Sequence, residues 1–560
     1  MNRNLAELAR KEYDLLVVGG GIYGVCIAWD AALRGLSVAL VEKGDFGHAT
    51  SSNSLRVIHG GLRYLQHGDV RRVRRSIGER TAFMRIAPHL VHPLPILIPT
   101  YGHLLQGKEI LSLAIFINKI VGWDRKCAAG GYNELLEGRV ISKQECLRLF
   151  PGAYEKGLTG GAIVYDCQMS NSERLALAFA RSANQIGAEL ANYVEATEFL
   201  INRGRVHGIK ARDMLTDDEL IIPARVVVNA SGPWMQKVVG AGMNRSQDFA
   251  LSKAFNLLIN RELISHRAVG VYGRNAFQDR DALLNKGSRL FFITPWHGRS
   301  LIGTAHLPYK GDPSNFKVAE AEVQSFIDEI NGAYPSAALR LGDVDHVYSG
   351  LLPVVERGGV QLVRHHRLYD HQRDDGIDGL VSVRGVKFTE ARYVAEKVVD
   401  MVFQKLGSKP AKSMTAVTPL HGGRIDNFEK FLGEETRKRS RELSADLAKL
   451  LIRQYGSAYA NVIAYGNNRP EAGSAALDIC SITKAEVLHG IREEMAQKLA
   501  DIVFRRTSLA LPDRLTEKSL KNAAAVMALE LGWNEDRVRR EIGEVRATSL
   551  RNALMRAEAA

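Results

Sequence analysis

A glycine-rich turn near the amino terminus constrains the fold of this chain more than any other sequence feature. The apolar run Tyr13–Val18 is typical of a buried strand, and Val25–Leu33 is typical of a helix. Between them, Gly19, Gly21 and Gly24 form the pattern G-x-G-x-x-G. Because no Cβ atom blocks the approach, the pyrophosphate of a dinucleotide can lie on the N–H groups of the helix. The place of the pattern between a strand and a helix predicts a dinucleotide-binding site.

An acidic residue stands at the distance that such a site requires. A second predicted strand, Leu36–Val41, ends in Glu42, which follows the last glycine by about 20 residues. A carboxylate at this place accepts hydrogen bonds from the ribose hydroxyls and disfavours a 2′-phosphate. The order of strand, turn, helix and strand predicts an α/β domain.

Length and hydrophobic patterning predict more than one domain. At 560 residues, with 46% hydrophobic and 24% charged residues, the chain is too long for one ordinary core. Strand signals fade near the segment Thr415–Gly423, and helical patterns follow it over Asn427–Tyr455, Thr483–Arg506 and Thr516–Arg556. We therefore expect residues 12–415 to form a dinucleotide-binding domain with an interleaved mixed-sheet domain, and residues 416–560 to form a helical domain.

Charge and cysteine usage narrow the class of protein. The five cysteines are scattered without a C-x-x-C pattern, which argues against a zinc or iron–sulfur site and fits a reducing compartment. Residues Met1–Lys11 lack the apolar core of a secretory signal. The net charge of +13 leaves nucleic acid, an anionic membrane surface and an anionic substrate open. We expect no nucleic-acid partner, because aromatic residues do not interleave with a basic stripe as they do in single-strand binders.

A strongly basic helix is predicted over Asp69–Ile86, before Pro88. Its apolar side contains Val70, Val73 and Ile77. The arginines that we expect to face solvent are Arg71, Arg72, Arg74 and Arg75.

Longer motifs make the chain similar to a known family. They are Val17–Gly24, Ala49–Ser52, Ile58–Tyr64, Asp166–Met169, Asn229–Trp234, Ile302–Thr304, Tyr348–Gly350, Lys387–Arg392, Arg492–Ala496 and Arg505–Thr507. Over most of its length, the chain resembles the FAD-dependent glycerol-3-phosphate dehydrogenases of bacteria, which are membrane-associated and reduce quinone. The resemblance implies a Rossmann-like FAD-binding domain interleaved with a mixed-sheet substrate domain, plus an all-α C-terminal cap domain. It also implies oxidation of sn-glycerol 3-phosphate to dihydroxyacetone phosphate.

The resemblance implies FAD as the cofactor and assigns residues to two sites. Oxidising a secondary alcohol requires hydride transfer to the flavin and a base for the hydroxyl proton, while the phosphate requires guanidinium or ammonium groups. The implied cofactor residues are Gly19, Gly21, Gly24, Glu42, Thr50, Ser51, Ser52, Gly60, Gly61, Ser231, Gly232, Gly350, Lys387 and Phe388. The implied catalytic residues are Arg63, Lys387 and His59, and the implied substrate-binding residues are Arg63, Tyr64, Arg364, Lys387 and Thr389.

Several residues depart from the family pattern. Leu352 stands where the family usually carries an arginine, and Asn256 stands where it usually carries a histidine. Asn256 cannot act as the general base, because an amide does not titrate near neutral pH. The substrate could therefore be another polyol phosphate, a hydroxy acid or an amine. A second alternative is that the protein is a scaffold that binds FAD but catalyses no reaction. The histidines that could replace the base are His59, His306, His365 and His366.

One apolar segment, Leu104–Trp123, is a candidate for membrane contact. Its uncharged and nearly all apolar run, Ile110–Ile117, is shorter than the roughly 20 apolar residues of a spanning helix, which leaves a buried helix or a helix in the bilayer interface. Periodicity favours the buried helix, and the resemblance favours the interface. We therefore expect a cytoplasmic protein, peripheral on the inner face of the cell membrane. Its expected partners are a small phosphorylated substrate, a quinone or other acceptor and anionic lipid, with a homodimer left open.

Overall fold

A computed structural model describes residues 1–61, 69–101, 138–239, 250–273, 290–466, 479–511 and 514–557. The strands are β1 (Tyr13–Val18), β2 (Val38–Glu42), β3 (Val57–Ile58), β4 (Val91–Tyr101), β5 (Arg139–Ser142), β6 (Leu158–Met169), β7 (Glu189–Asn192), β8 (Val194–Asn202), β9 (Arg205–Asp213), β10 (Glu219–Asn229), β11 (Leu251–Ile259), β12 (Ala268–Tyr272), β13 (Leu290–Trp296), β14 (Arg299–Tyr309), β15 (Val344–Pro353), β16 (Arg367–Asp370) and β17 (Leu380–Arg384).

The helices lie between these strands and then fill the carboxyl-terminal part of the chain. They are α1 (Leu5–Arg10), α2 (Ile22–Leu33), α3 (Val70–Ile86), α4 (Lys143–Leu149), α5 (Ser172–Gln185), α6 (Met235–Val239), α7 (Glu320–Ala333), α8 (His371–Asp375), α9 (Ala391–Lys405), α10 (Phe428–Lys438), α11 (Ala445–Tyr455), α12 (Tyr459–Gly466), α13 (Ile479–Glu494), α14 (Leu499–Asp501), α15 (Glu517–Leu531) and α16 (Glu535–Ala557). Among the described residues, no helix combines the length and apolar character needed to cross a membrane.

The first sheet has the strand order β16-β17-β10-β1-β2-β7. β1 pairs in parallel with β2 on one side and with β10 on the other, so that Val18 lies beside both Val41 and Asn229. The carboxyl ends of these strands therefore meet at one edge, on either side of the point where the chain order reverses. In open α/β sheets, this is the edge at which ligands bind.

Both faces of the first sheet are covered, which explains its continuous apolar strands. On one face, α2 packs against α9 and α5, with Trp29 and Phe179 in edge-to-face contact at 5.3 Å between ring centroids. On the other face, β9 pairs antiparallel with the first half of β10 and with β8, and it contributes Val206 and Ile209 to a second core. Strands buried on both faces are rich in Val, Ile and Leu rather than alternating in polarity.

The second sheet has the order β15-β11-β14-β13-β12-β4-β6-β3, with β5 paired to β6. Its pairs are antiparallel except for β12 with β4, so the sheet is mixed. Helix α7 covers one face, where Phe326 meets Phe255 and Phe291 edge to face. The α/β fold class with a mixed second sheet is confirmed.

The carboxyl-terminal part of the chain is helical, as predicted, but its long helical patterns are interrupted. Asn427–Tyr455 contains two helices, because the chain turns after Lys438 and Ser444 caps α11 by accepting from Leu447 N–H. Thr516–Arg556 is also divided, since Gly532 adopts the left-handed conformation, with φ of 66°, and ends α15. These breaks allow the helices to pack around shared cores.

Two predictions for the basic helix α3 are wrong. Val70 was expected on the apolar side, but it is exposed at 47%. Arg72 was expected to face solvent, but it is buried and its Nε lies 3.3 Å from Glu390 Oε1. The carboxylate of Glu390 is itself buried, so a cation on the facing helix offsets the cost of removing it from water.

Candidate active site

The three glycines of the first turn serve two different purposes. A Cβ atom on Gly24 would collide with the carbonyl oxygen of Gly19, and one on Gly19 would lie 2.7 Å from the carbonyl oxygen of Ala230. Gly19 also has a φ of 109°, which favours glycine. A Cβ atom on Gly21 would meet just Ser51 Oγ, at 3.3 Å. Protein packing therefore excludes a side chain at Gly19 and Gly24, whereas at Gly21, at the helix N-terminus, a Cβ atom would press on the Ser51 hydroxyl alone.

Glu42 ends β2 beside this turn. Its Oε2 accepts a hydrogen bond from Gly20 N–H at 2.6 Å, and its Oε1 accepts one from Gly44 N–H at 2.8 Å. A carboxylate has about four acceptor positions, so it can accept further bonds from ribose hydroxyls. The backbone thus holds Glu42 in an orientation suited to a ribose.

The loop after Glu42 contains the Thr-Ser-Ser motif and lies against both sheets. Ser51 Oγ accepts a hydrogen bond from Ile22 N–H at 3.0 Å, at the start of α2. Ser52 Oγ donates to the carbonyl oxygen of Gly47. A Cβ atom on Gly350 would lie 3.1 Å from Thr50 Cγ2, so β15 passes the loop closely. The motif therefore joins the glycine turn to the second sheet.

Ser231 and Gly232 follow β10 at the same sheet edge. Asn229 Oδ1 accepts hydrogen bonds from Ser231 N–H at 3.2 Å and from Ser231 Oγ at 2.6 Å. Gly232 is left-handed, with a φ of 57°. A Cβ atom on Gly19 would approach Ser231 Cα to 2.9 Å, so this turn contacts the glycine turn.

Tyr23 joins α2 to the segment that carries Lys387 and Phe388. Its hydroxyl donates to the carbonyl oxygen of Lys387 at 2.7 Å and accepts from the N–H groups of Val386 and Lys387. Burial raises the pKa of Tyr23, so the hydroxyl keeps its proton and can donate. Gly385 provides the space, because a Cβ atom there would collide with the Tyr23 ring.

His59 and Asp166 form a hydrogen-bonded pair near this segment. His59 Nδ1 lies 3.1 Å from Asp166 Oδ2, and the backbone N–H of His59 donates to Thr389 Oγ1 at 3.1 Å. Gly60 N–H donates to Asp166 Oδ1 at 2.5 Å. Burial alone would raise the pKa of Asp166, yet the hydrogen bond from His59 and the charge of Arg80 hold it below its usual value. Asp166 is therefore an ionised acceptor that orients the imidazole.

The other predicted substrate residues are less closely gathered. Arg63 and Tyr64 lie outside the described residues, and Arg364 is exposed on the loop before β16. His366 Nδ1 lies 3.7 Å from Glu390 Oε2, next to Thr389. Burial opposes ionisation of Glu390, yet His366 and Arg72 lower its pKa to about 2. His366 is thereby paired with an ionised carboxylate.

The departures Asn256 and Leu352 lie on adjacent strands of the second sheet. Asn256 Nδ2 donates to the carbonyl oxygen of Asn53 at 3.2 Å, and its Oδ1 accepts from Thr304 Oγ1 at 2.8 Å. Leu352 is half-buried on β15, opposite Ser252 of β11. Asn256 therefore ties the Thr-Ser-Ser loop to β14.

The arrangement fits an extended dinucleotide such as FAD. The N-terminus of α2 at Gly21, the carboxylate of Glu42, the turn after β10 and the Lys387 segment lie around one sheet edge. Sequence reasoning missed the supporting roles of Tyr23, Asp166 and Glu390. Tyr23 lies inside the glycine motif and Asp166 inside another quoted motif, but neither motif indicates which distant residue it contacts.

Two family models match the chain. Residues 14–401 match the FAD dependent oxidoreductases, and residues 413–538 match the C-terminal domain of alpha-glycerophosphate oxidase. A glycerol-3-phosphate dehydrogenase of Synechocystis sp. is 32% identical over 96% of this chain and 97% of its own length. An alpha-glycerophosphate oxidase of Streptococcus pyogenes serotype M6 is 28% identical over 98% of this chain and 97% of its own length.

A solved structure matches both parts of the chain. The glycerol-3-phosphate dehydrogenase from Bacillus halodurans, complexed with FAD, superposes with a TM-score of 0.76 at 27% identity. The match covers 97% of this chain and 96% of that chain.

Proposed function

The chain belongs to the FAD-dependent oxidoreductase family, and from this premise we propose that it oxidises sn-glycerol 3-phosphate to dihydroxyacetone phosphate. We propose a quinone as the electron acceptor, because the sequence motifs of the chain resemble those of the quinone-reducing family. The observation that supports this substrate is the match of residues 413–538 to the C-terminal domain of alpha-glycerophosphate oxidase. These residues directly follow the part that matches the FAD-dependent oxidoreductases. FAD is the cofactor. The domain boundary between residues 415 and 416 stays a prediction, and so does a homodimeric state.

The residues around the sheet edge are proposed to hold FAD. Gly21 admits the pyrophosphate to the N-terminus of α2, and Glu42 accepts from the ribose hydroxyls. The other proposed contacts are Gly19, Gly24, Thr50, Ser51, Ser52, Gly60, Gly61, Ser231, Gly232, Gly350, Lys387 and Phe388. Bound FAD supplies the acceptor for the hydride that leaves the substrate carbon.

His59 is the proposed base for the substrate hydroxyl. Because Asp166 Oδ2 accepts from Nδ1–H, the lone pair of the imidazole is on Nε2, where it can take the hydroxyl proton. With FAD bound, the cofactor would accept the hydride and its two electrons; His59 takes the hydroxyl proton, and the carbonyl of the product forms. Asp166 then stabilises the imidazolium without itself taking the proton.

The proposal is tested with purified protein, an artificial dye acceptor and a panel of alcohols and amines. Reduction of the dye with sn-glycerol 3-phosphate, but not with glycerol, would support both the reaction and recognition of the phosphate. Turnover of an amine or an unphosphorylated hydroxy acid in its place would contradict the proposed substrate and leave the family assignment intact.

Arg63 and Lys387 are proposed to bind the phosphate. Removing one charge-assisted hydrogen bond to a desolvated anion costs about 1.5–3 kcal/mol. We therefore expect Arg63→Ala to lower kcat/KM by about 10- to 150-fold, since each 1.4 kcal/mol corresponds to about tenfold, while FAD stays bound. Steady-state kinetics check this, with the exposed Arg71→Ala as the matched control. An unchanged kcat/KM in both Arg63→Ala and Lys387→Ala would remove these residues from the phosphate site.

The departures at Leu352 and Asn256 support a second candidate: the same oxidative chemistry on a different polyol phosphate, hydroxy acid or amine. If glycerol 3-phosphate is the substrate, we expect Leu352→Arg to leave its KM unchanged or lower it. If the pocket instead accepts an uncharged group, the same change buries an unpaired cation and abolishes turnover. The measurement is KM for each substrate of the panel, with Leu352→Met as a control for side-chain volume.

We also propose that the protein is cytoplasmic and binds the inner face of the cell membrane through Leu104–Trp123, a segment outside the described residues. Basic residues near anionic lipid contribute about 1 kcal/mol each, and the apolar residues of the segment enter the interface. We expect co-sedimentation with anionic liposomes that weakens, but persists, at high salt. The double variant Leu113→Glu with Ile117→Glu should lose it. If the native protein and the folded double variant sediment equally, this segment is not the membrane-binding site.

A further inference from the structure

The carboxyl-terminal part of the chain reaches the loop that follows Glu42. Asp45, in that loop, is fully buried. Its two carboxylate oxygens each accept a hydrogen bond from Arg506, from Nη2 and Nη1, at 2.7 Å. Its Oδ2 also accepts from Arg505 Nε at 2.5 Å. Two arginines of the helical part thus donate hydrogen bonds to one carboxylate of the dinucleotide-binding part.

The same loop is bonded to the glycine turn. Gly47 N–H donates to the carbonyl oxygen of Gly20 at 3.0 Å, and Ser51 Oγ accepts from Ile22 N–H at 3.0 Å. Gly20 in turn donates its N–H to Glu42. A displacement at Asp45 therefore moves residues that are bonded directly to the proposed pyrophosphate and ribose contacts.

Both partners in this contact are held in place by other bonds. Asn192 Nδ2 donates to Asp45 Oδ1 at 3.1 Å, and Arg505 Nη2 donates to Asp501 Oδ1 at 2.6 Å. Burial alone would raise the pKa of Asp45, yet the charges of Arg506 and Arg505 hold it well below its usual value. The carboxylate is therefore ionised, and removing a guanidinium leaves a buried charge with less compensation.

We propose that Arg506 and Arg505 are positioning residues for the cofactor: by holding Asp45 they keep the loop 42–52 in the conformation that binds FAD. Because coupling between two events is reciprocal, FAD binding in turn stabilises the contact of residues 502–507 with Asp45. The inference rests on the proposed cofactor site and does not depend on which alcohol the enzyme oxidises.

The test measures FAD affinity in the full chain. Arg506→Gln is expected to raise the dissociation constant of FAD by about 5- to 150-fold, measured from the fluorescence of flavin released on dilution. Asp45→Asn should act in the same direction, and Arg506→Lys should lie between Arg506→Gln and the native protein. With excess FAD, kcat and KM of Arg506→Gln should return to the native values, which a general loss of structure would not allow.

Arg174→Gln is the matched control. Arg174 makes a buried ion pair of the same kind between the two parts, with Nη1 and Nη2 at 2.7 and 2.9 Å from the Glu494 carboxylate, and it does not bond the loop 42–52. The variant keeps the backbone carbonyl of Glu494, which accepts from Arg506 Nε and Nη2 at 3.1 and 3.0 Å. We expect it to lower thermal stability without changing FAD affinity. Equal losses of affinity in Arg174→Gln and Arg506→Gln, or no loss in Arg506→Gln and Asp45→Asn, would overturn the proposal.

Hydrogen exchange of the native protein, with and without FAD, tests the same coupling even if the variants fail to fold. Removal of FAD from the native protein should increase amide hydrogen exchange in residues 502–507 and 42–52 more than in residues 428–455. Equal exchange of residues 502–507 with and without FAD would overturn the coupling. If Gly21→Val retains FAD, the cofactor site itself is wrong, whereas loss of FAD in Gly21→Val but not in Arg506→Gln refutes the coupling alone.

Discussion

A Gly21→Val variant is expected to fold and to lose FAD. Gly21 caps α2 with φ of −69° and ψ of 175°, a conformation open to any residue. A Cβ atom there would have a single protein neighbour, Ser51 Oγ at 3.3 Å, so the fold accommodates it if the Ser51 hydroxyl moves by a few tenths of an ångström. The valine methyl groups would instead occupy the space that the pyrophosphate needs. Flavin absorbance per chain in the purified protein should fall to near zero while the melting temperature of the apoprotein stays close to that of the native apoprotein.

Two glycine variants control this experiment. Gly24→Ala should destabilise the folded protein, because its Cβ atom would collide with the carbonyl oxygen of Gly19. Gly332→Ala should leave flavin binding unchanged and stabilise the fold slightly, since Gly332 lies within α7 and a Cβ atom there meets nothing within 4 Å. Stoichiometric flavin in Gly21→Val would mean that the cofactor binds elsewhere.

His59→Ala is expected to lower kcat by about 100- to 10,000-fold, the range in which positioned general bases contribute. FAD should remain bound, because the side chain of His59 bonds Asp166 and not the glycine turn. Asp166→Asn should also lower kcat strongly, since an amide can hold the imidazole in the wrong tautomer. Added imidazole should restore part of the activity of His59→Ala, because the His59 side chain is 34% exposed and its place is open to solvent.

The test of His59 and Asp166 also has a matched control, the exposed His365. His365 lies 3.8 Å from Asp69 Oδ2 and is exposed, so His365→Ala should leave kcat unchanged. A kcat within a few-fold of native in His59→Ala, about 1 kcal/mol or less, would exclude His59 as the base. His366, which lies beside Glu390, would then be the first residue to replace.

The sequence predicted those parts of the fold whose signals are local. The strand Tyr13–Val18 has the bounds that hydrophobic patterning indicates. Helix α2 begins at Ile22, before the predicted Val25, because Gly21 already provides the cap. Boundaries of this kind depend on caps and turns, whereas the strands depend on runs of apolar residues that are long enough to be unambiguous.

Much of the proposed site lies in contiguous motifs and was therefore predictable as a set of residues. Glu42 and Ser51 accept hydrogen bonds from backbone N–H groups of the glycine turn that are 22 and 29 residues away in the chain, contacts that the motifs themselves do not indicate. Their roles toward FAD, and those of Arg63 and Lys387 toward the phosphate, stay predictions. The family and the cofactor are confirmed by matches that extend over most of the chain.

By itself, then, the sequence determined the α/β class, the helical carboxyl-terminal part and the glycine turn, because hydrophobic period and glycine spacing are properties of neighbouring residues. Tertiary structure alone decided which distant residues meet: His59 with Asp166, Tyr23 with Lys387, and Asp45 with Arg506. It also decided that Arg72 is buried, because the partner that makes burial tolerable, Glu390, comes from a remote segment. A buried charge is stable beside an opposite charge, and the fold brings the two together.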